Sequence, residues 1–163
     1  MTAMAPRQAD GPGLVTAIRG RVVPVRHDVA MDSHLVRLTT GGRLTTDLTA
    51  SAADFCRGRG DGLLQVFVPH ATAGVAIFET GAGSEEDLEM SLESLLPRDA
   101  AYLHRHGSPG HGRDHVLPAL ISPSITVPVI DGRMQLGTWQ SIVFVDPNAD
   151  NPQREVRLSF LSG

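Results

Sequence analysis

The sequence predicts an α+β domain in which largely antiparallel β-sheets pack as a sandwich with a few flanking helices. Three observations predict it. Val156, Leu158 and Phe160 alternate with Arg157 and Ser159, the period of a strand with one buried face. Asp131-Gly132 separates the run Ser124–Ile130 from Arg133 onward, and this dipeptide suits the left-handed dihedrals of a type I′ hairpin turn. Two amphipathic helical patterns stand well apart among many strand-like runs, which is the arrangement of an α+β domain.

Taken in chain order, Val22-Val23-Pro24-Val25 and Leu35–Thr40 read as opening strands, with Pro24 marking a sheet edge. Thr46 opens a helix whose apolar stripe is Leu48, Ala52 and Phe55, and Gly58 and Gly60 stop it. Leu63–Val68 is a buried strand and Val75–Phe78 its neighbour, so the intervening Pro69-His70-Ala71-Thr72 puts His70 in a tight connection. Ser84-Glu85-Glu86-Asp87 resembles a capping box. Leu88, Leu92, Leu95 and Leu96 then form the apolar side of a helix that ends at Pro97. Its acids, Glu85, Glu86, Asp87, Glu89 and Glu93, are a solvated face and a complement to the helix dipole. Val116 to Ile121 makes a short helix interrupted near Pro118.

At 163 residues and 41% hydrophobic, the chain suffices for one domain with a proper core. Residues 1–20 read as a disordered leader and 21–163 as a single domain. A net charge of −4 and only one Trp, one Tyr and five Phe argue against nucleic acid as a partner. All 14 basic residues are arginine, which excludes a Schiff-base lysine and a phosphate-loop lysine. The lone Cys56 excludes an internal disulfide and a multi-cysteine zinc site, and with no secretory or membrane-length apolar run it points to a cytoplasmic protein.

Chemistry concentrates between His104 and His115, where His104, His106, His111 and His115 share a Gly/Pro-rich stretch. Imidazole is the commonest metal ligand and titrates nearest neutral pH, so this cluster suggests a metal or acid–base site. His70, Glu79 and Asp114 are further candidates. A three-histidine site with an open position fits zinc or another divalent ion, which acidifies water or polarises a phosphate. Without metal, the same groups serve as general acid and base while arginines hold an anionic substrate. Gly81-Ala82-Gly83 before a helix offers a phosphate cradle, but the three acids that follow favour capping. Serine-hydrolase and dinucleotide motifs are absent. Trp139 is a core or interface anchor, and Thr138 and Gln140 beside it line a pocket or satisfy backbone groups.

Several of these residues occur in a familiar order. His70-Ala71-Thr72-Ala73, Glu79, the loop ending at His115, Pro128–Arg133 and Leu136-Gly137-Thr138-Trp139-Gln140, with Asp47-Leu48-Thr49 before them, resemble the YjbQ family from about Asp28 to the C-terminus. The resemblance implies a small α+β protein assembling as a homotrimer, in a family where some members are credited with weak, secondary thiamine-phosphate synthase activity. It implies a reaction joining a pyrimidine pyrophosphate ester to a thiazole phosphate. It also implies a site in which His70, Glu79 and His115 handle protons; His70, His104 and His115 ligate a divalent metal such as zinc or magnesium; and Thr72, Arg133, Thr138 and Gln140 contact a small phosphorylated substrate. His106 or His111 are alternatives to His104. Phe78 and Thr80 depart from the polar residue and the Asn that flank the family's glutamate. A metal-dependent hydrolase of a small phosphorylated ester and a non-catalytic metal- or metabolite-binding trimer are the rival readings.

Overall fold

Among the described residues, the C-terminal alternation becomes the longest strand and organises the larger of two sheets. The structure, a computed structural model, describes residues 30–163; the leader expected at 1–20 and the strand expected at 22–25 lie outside them. Strand β8, taking the labels in chain order, spans Gln153–Ser162 and lies between β1 (Met31–Thr39) and β3 (Gly62–Phe67). The hairpin β5 (Ser124–Ile130) and β6 (Arg133–Met134) completes the antiparallel order β1-β8-β3-β5-β6. Asp131 and Gly132 have φ of 50° and 70°, the two left-handed residues that a type I′ turn requires. Register sets Leu64 opposite Phe160 and Val127, and Val66 opposite Leu158 and Ile125, so the apolar residues of neighbouring strands share one face. Ser159, expected on a solvated face, is buried, between Ser33 and Gln65 on the adjoining strands.

The second sheet is β2 (Thr45–Asp47), β7 (Ser141–Val145) and β4 (Gly74–Phe78), ordered β2-β7-β4. β7 is buried on both faces. Ile142 and Phe144 join the main core with Leu64, Val66, Leu158 and Phe160, while Val143 and Val145 pack with Leu92, Leu96 and Leu117. A strand covered on both sides loses its polar alternation, which is why 142–145 is an unbroken apolar run. Each large side chain so buried contributes about 1.5–3 kcal/mol.

Two expectations about pairing and helix bounds are corrected. β4 does not neighbour β3 but sits in the other sheet, because the 69–73 connection, opened by a proline with no N–H for the ladder, carries the chain between layers. Thr46 belongs to β2; helix α1 spans Thr49–Cys56, begun by Asp47 Oδ1 accepting from Thr49 N at 2.7 Å. The expected stripe holds, since Leu48, Ala52 and Phe55 are buried, as is Cys56. Burial pushes the Cys56 thiol up in pKa, which fits a packing role.

Helix α2 spans Ser84–Leu95 and follows a left-handed Gly83. The Ser84 hydroxyl makes no cap; instead the Glu85 carboxylate accepts from Gly81 N at 2.9 Å, occupying the place a phosphate would take. Leu92 and Leu96 are buried and Leu88 partly so, but Leu95 is 67% exposed, so the apolar stripe is one residue narrower than its sequence suggests. Among the described residues no helix is long and apolar enough to cross a membrane.

Candidate metal centre

The stretch after α2 is tied down by one buried arginine. Arg113 donates through Nη1 to Leu96 O at 3.0 Å and pairs with Glu93 at 2.7 Å, which fixes the far end of the loop to the helix that precedes it. A 3₁₀ turn over His111–Arg113 follows the left-handed Gly110, and Asp114 N donates to His111 O at 3.0 Å. Two glycines have no substitute here. A Cβ on Gly107 would meet the His111 ring at 2.5 Å, and one on Gly112 would meet Tyr102 Cβ at 2.6 Å. Small residues at these points let two passes of the loop approach closely enough for their histidines to meet.

The four histidines converge. One ligand nitrogen from each of His104, His106, His111 and His115 lies within 4.8 Å of the others. His111 Nε2 is 2.9 Å from His115 Nε2, and the His104 ring stands 4.0 Å from His106 and 4.1 Å from His115 between centroids. His104 Nε2 is buried and has no hydrogen-bond partner among the described residues. Burial first, and neighbouring imidazoles second, lower the affinity of His104 and His115 for protons. Neutral rings are the ligating form. A tetrahedral ion bound at 2.0–2.1 Å sets its ligands about 3.4 Å apart, so a small contraction of this cluster suffices. The cluster opens onto a cleft of ≈ 320 Å³ lined also by Tyr102, Arg105 and Ser108.

Behind the rings lies a buried polar group that the sequence reading did not identify. Asp146, Asn148 and Arg154 are all buried, and Arg154 Nε meets Asp146 Oδ2 at 2.5 Å with side chains 5% and 0% exposed. Asp146 Oδ1 also accepts from Thr72 at 3.4 Å. Asp150 approaches His111 Nδ1 to 3.0 Å, and its pKa is held below the ordinary value first by the Ser108 N–H. One signal was available in the sequence: Arg154 falls in the same phase as Val156, Leu158 and Phe160, so alternation puts a charge on a buried face that must be paired.

The remaining expected site residues are dispersed. His70 stands apart from the cluster, with Nε2 2.9 Å from Glu155 N and 3.0 Å from Glu155 O, so the start of β8 occupies that nitrogen in either tautomer. Among the described residues the set that converges is the four loop histidines, and the combination of His70 with His104 and His115 is not assembled within the chain. Glu79 is exposed just beyond β4 and makes no side-chain bond among the described residues. Thr72 is buried against Asp146. Arg133 lines a separate cleft with Arg57 and Leu136. Thr138 and Gln140 lie in an exposed turn in which Gln140 Oε1 accepts from Gly137 N at 2.8 Å. Trp139, expected as a core or interface anchor, is 72% exposed and not part of the core.

The family profile described as UPF0047 protein YjbQ-like matches residues 33–163. A UPF0047 protein of Mycobacterium tuberculosis is 60% identical over 133 residues, covering 82% of this chain and 100% of that protein. A hypothetical protein from Aeropyrum pernix superposes with a TM-score of 0.74 at 30% identity, over 81% of this chain and 99% of that one. A YbjQ-like protein of unknown function from Sulfolobus solfataricus shares the fold, with a TM-score of 0.73 at 22% identity over 83% and 98% of the two chains.

Proposed function

The chain belongs to the UPF0047 YjbQ-like family, and from that premise we propose that it binds a divalent metal ion on its loop histidines and acts on a small phosphorylated substrate. The observation that carries this reading is the convergence of His104, His106, His111 and His115 on one point, with a buried His104 Nε2 that has no partner among the described residues. An unpaired buried nitrogen is costly, and a cation among neutral imidazoles removes that cost.

A divalent ion held there supplies Lewis acidity toward a phosphoryl oxygen. The chain contributes the surroundings. Arg105 lines the cleft beside the histidines and offers a charge-assisted partner for a phosphate. A ring not needed as a ligand remains to carry a proton to or from the leaving oxygen. Departure of phosphate or pyrophosphate is common to the two reactions we have in view. One is the thiamine-phosphate-synthase-type joining of a pyrimidine pyrophosphate ester to a thiazole phosphate; the other is hydrolysis of a single small ester.

Elemental analysis of tag-free protein tests the reading, with His111→Ala and His115→Ala alongside and oligomeric state measured for each. Near-stoichiometric metal in the parent, lost from both folded variants, is the expected result. A parent that takes up no metal after reconstitution overturns it. Chelator-sensitive turnover of one ester alone selects hydrolysis; a requirement for two substrates selects joining.

A further inference from the structure

His111 Nδ1 faces two groups that make opposite demands on it. Asp150 Oδ2, at 3.0 Å, is an acceptor and favours a proton on Nδ1. Asn148 Nδ2, at 2.8 Å, is a donor and favours a bare Nδ1. The Asn148 amide cannot turn round to remove the conflict, because its Oδ1 already accepts from Arg154 Nη2 at 3.0 Å, Asp150 N at 3.1 Å and Asn151 N at 3.3 Å. Its Nδ2 therefore points at His111 and at Asp114 Oδ2, 3.2 Å away. Arg154 is itself held by Asp146, so this orientation is anchored in the core.

The two demands have different consequences at the other side of the ring. A neutral imidazole carries one proton. If it sits on Nδ1, Nε2 is bare and able to ligate; if it sits on Nε2, that nitrogen donates across 2.9 Å to His115 Nε2 and ligates nothing. We propose that Asp150 and Asn148 are opposed positioning residues that set the tautomer of His111, Asp150 committing it to metal binding and Asn148 to the metal-free His111–His115 hydrogen bond. The inference rests on the metal reading above and names the residues that tune that site.

It predicts opposite signs for two neighbouring substitutions. Asp150→Ala weakens Co²⁺ binding about 10- to 100-fold, the effect of losing a ligand's orienting partner. Asp150→Asn, whose amide oxygen still accepts, recovers part of the loss. Asn148→Ser keeps an oxygen for the Asp150 and Asn151 amides but withdraws the donor from His111, and tightens Co²⁺ binding about 2- to 10-fold. Asn148→Asp, an acceptor in the donor's place, moves the tautomer the same way and stands in should the serine variant not fold. ¹⁵N shifts of the His111 ring in metal-free protein read the tautomer directly: toward Nδ1–H in the Asn148 variants and toward Nε2–H in Asp150→Ala. Asp150 and Asn148 variants that move the affinity or the tautomer in the same direction as each other, or not at all, overturn the proposal. A parent protein that takes up no Co²⁺ overturns the metal reading, while the ring shifts still decide the tautomer assignment.

Discussion

From Ile142 to Val145 every side chain is buried against other apolar side chains, whereas between Arg98 and His115 the buried side chains are His111, Arg113 and Asp114. The first region is held by contacts that are numerous, non-directional and partly interchangeable. The second is held by a few directional bonds and by glycines that admit one backbone path. The difference teaches that the stability of this molecule is separable from the metal binding proposed for its loop. Damage to the strand core is expected to remove both, and damage to the loop the second first.

The largest effect expected is on the core side. Phe144→Ala empties a fully buried site between the sheets and costs about 3–5 kcal/mol, read as a lower midpoint in denaturant unfolding. Asp146→Ala tests the boundary between the regions, since it strips a buried Arg154 of its partner while touching no histidine. It costs about 3 kcal/mol, and an unchanged midpoint would show that the polar group is not part of the folding unit. Gly112→Ala acts within the loop, forcing Cβ against Tyr102; overpacking costs about 1–3 kcal/mol and spreads the histidines, so metal uptake falls further than thermal stability does. His111→Ala sharpens the contrast most. Metal-free stability changes by about 1 kcal/mol as one hydrogen-bonded ring is lost, yet metal stoichiometry collapses.

The smallest effect belongs to His70, which lies in neither region and bonds the backbone at the start of β8. Burial first and Arg154 second lower its pKa from 6.5. Between that lowered value and about 6.5 the unfolded chain binds more protons, so the contribution is intact above pH 6.5 and is lost as pH falls through the folded value. Denaturant midpoints of metal-free protein at pH 7.5 and 5.5 check this: His70→Gln narrows the difference between them.

Much of the larger sheet was legible because its strands have local causes: Val156, Leu158 and Phe160 alternate, and Asp131-Gly132 demands its turn. The sheet assignment of β4 was not, because nothing local says that the 69–73 connection crosses between layers rather than closing a hairpin. The site divides similarly. The loop histidines announce themselves by density, and two of the four were held as alternatives rather than chosen. His70 is separated from them because its ring nitrogen is taken by the Glu155 backbone, a contact spanning 85 residues that no short motif encodes. Asn148 and Asp150 belong to no motif in the sequence, and only the fold brings them to His111.

β7 also bears on how the chain finds its alignment. A strand with apolar residues on both faces gains no protection from alternation: sliding it by one position exchanges Ile142 and Phe144 for Val143 and Val145, leaving hydrocarbon on either side. What penalises the slip lies at the two ends. Ile142 N donates to Thr49 Oγ1 at 2.9 Å, and Asp146 must arrive between Thr72 and Arg154. The buried ion pair is thus a vernier for the second sheet, and the same setting that aligns β7 brings Asn148 and Asp150 up to the histidine ring.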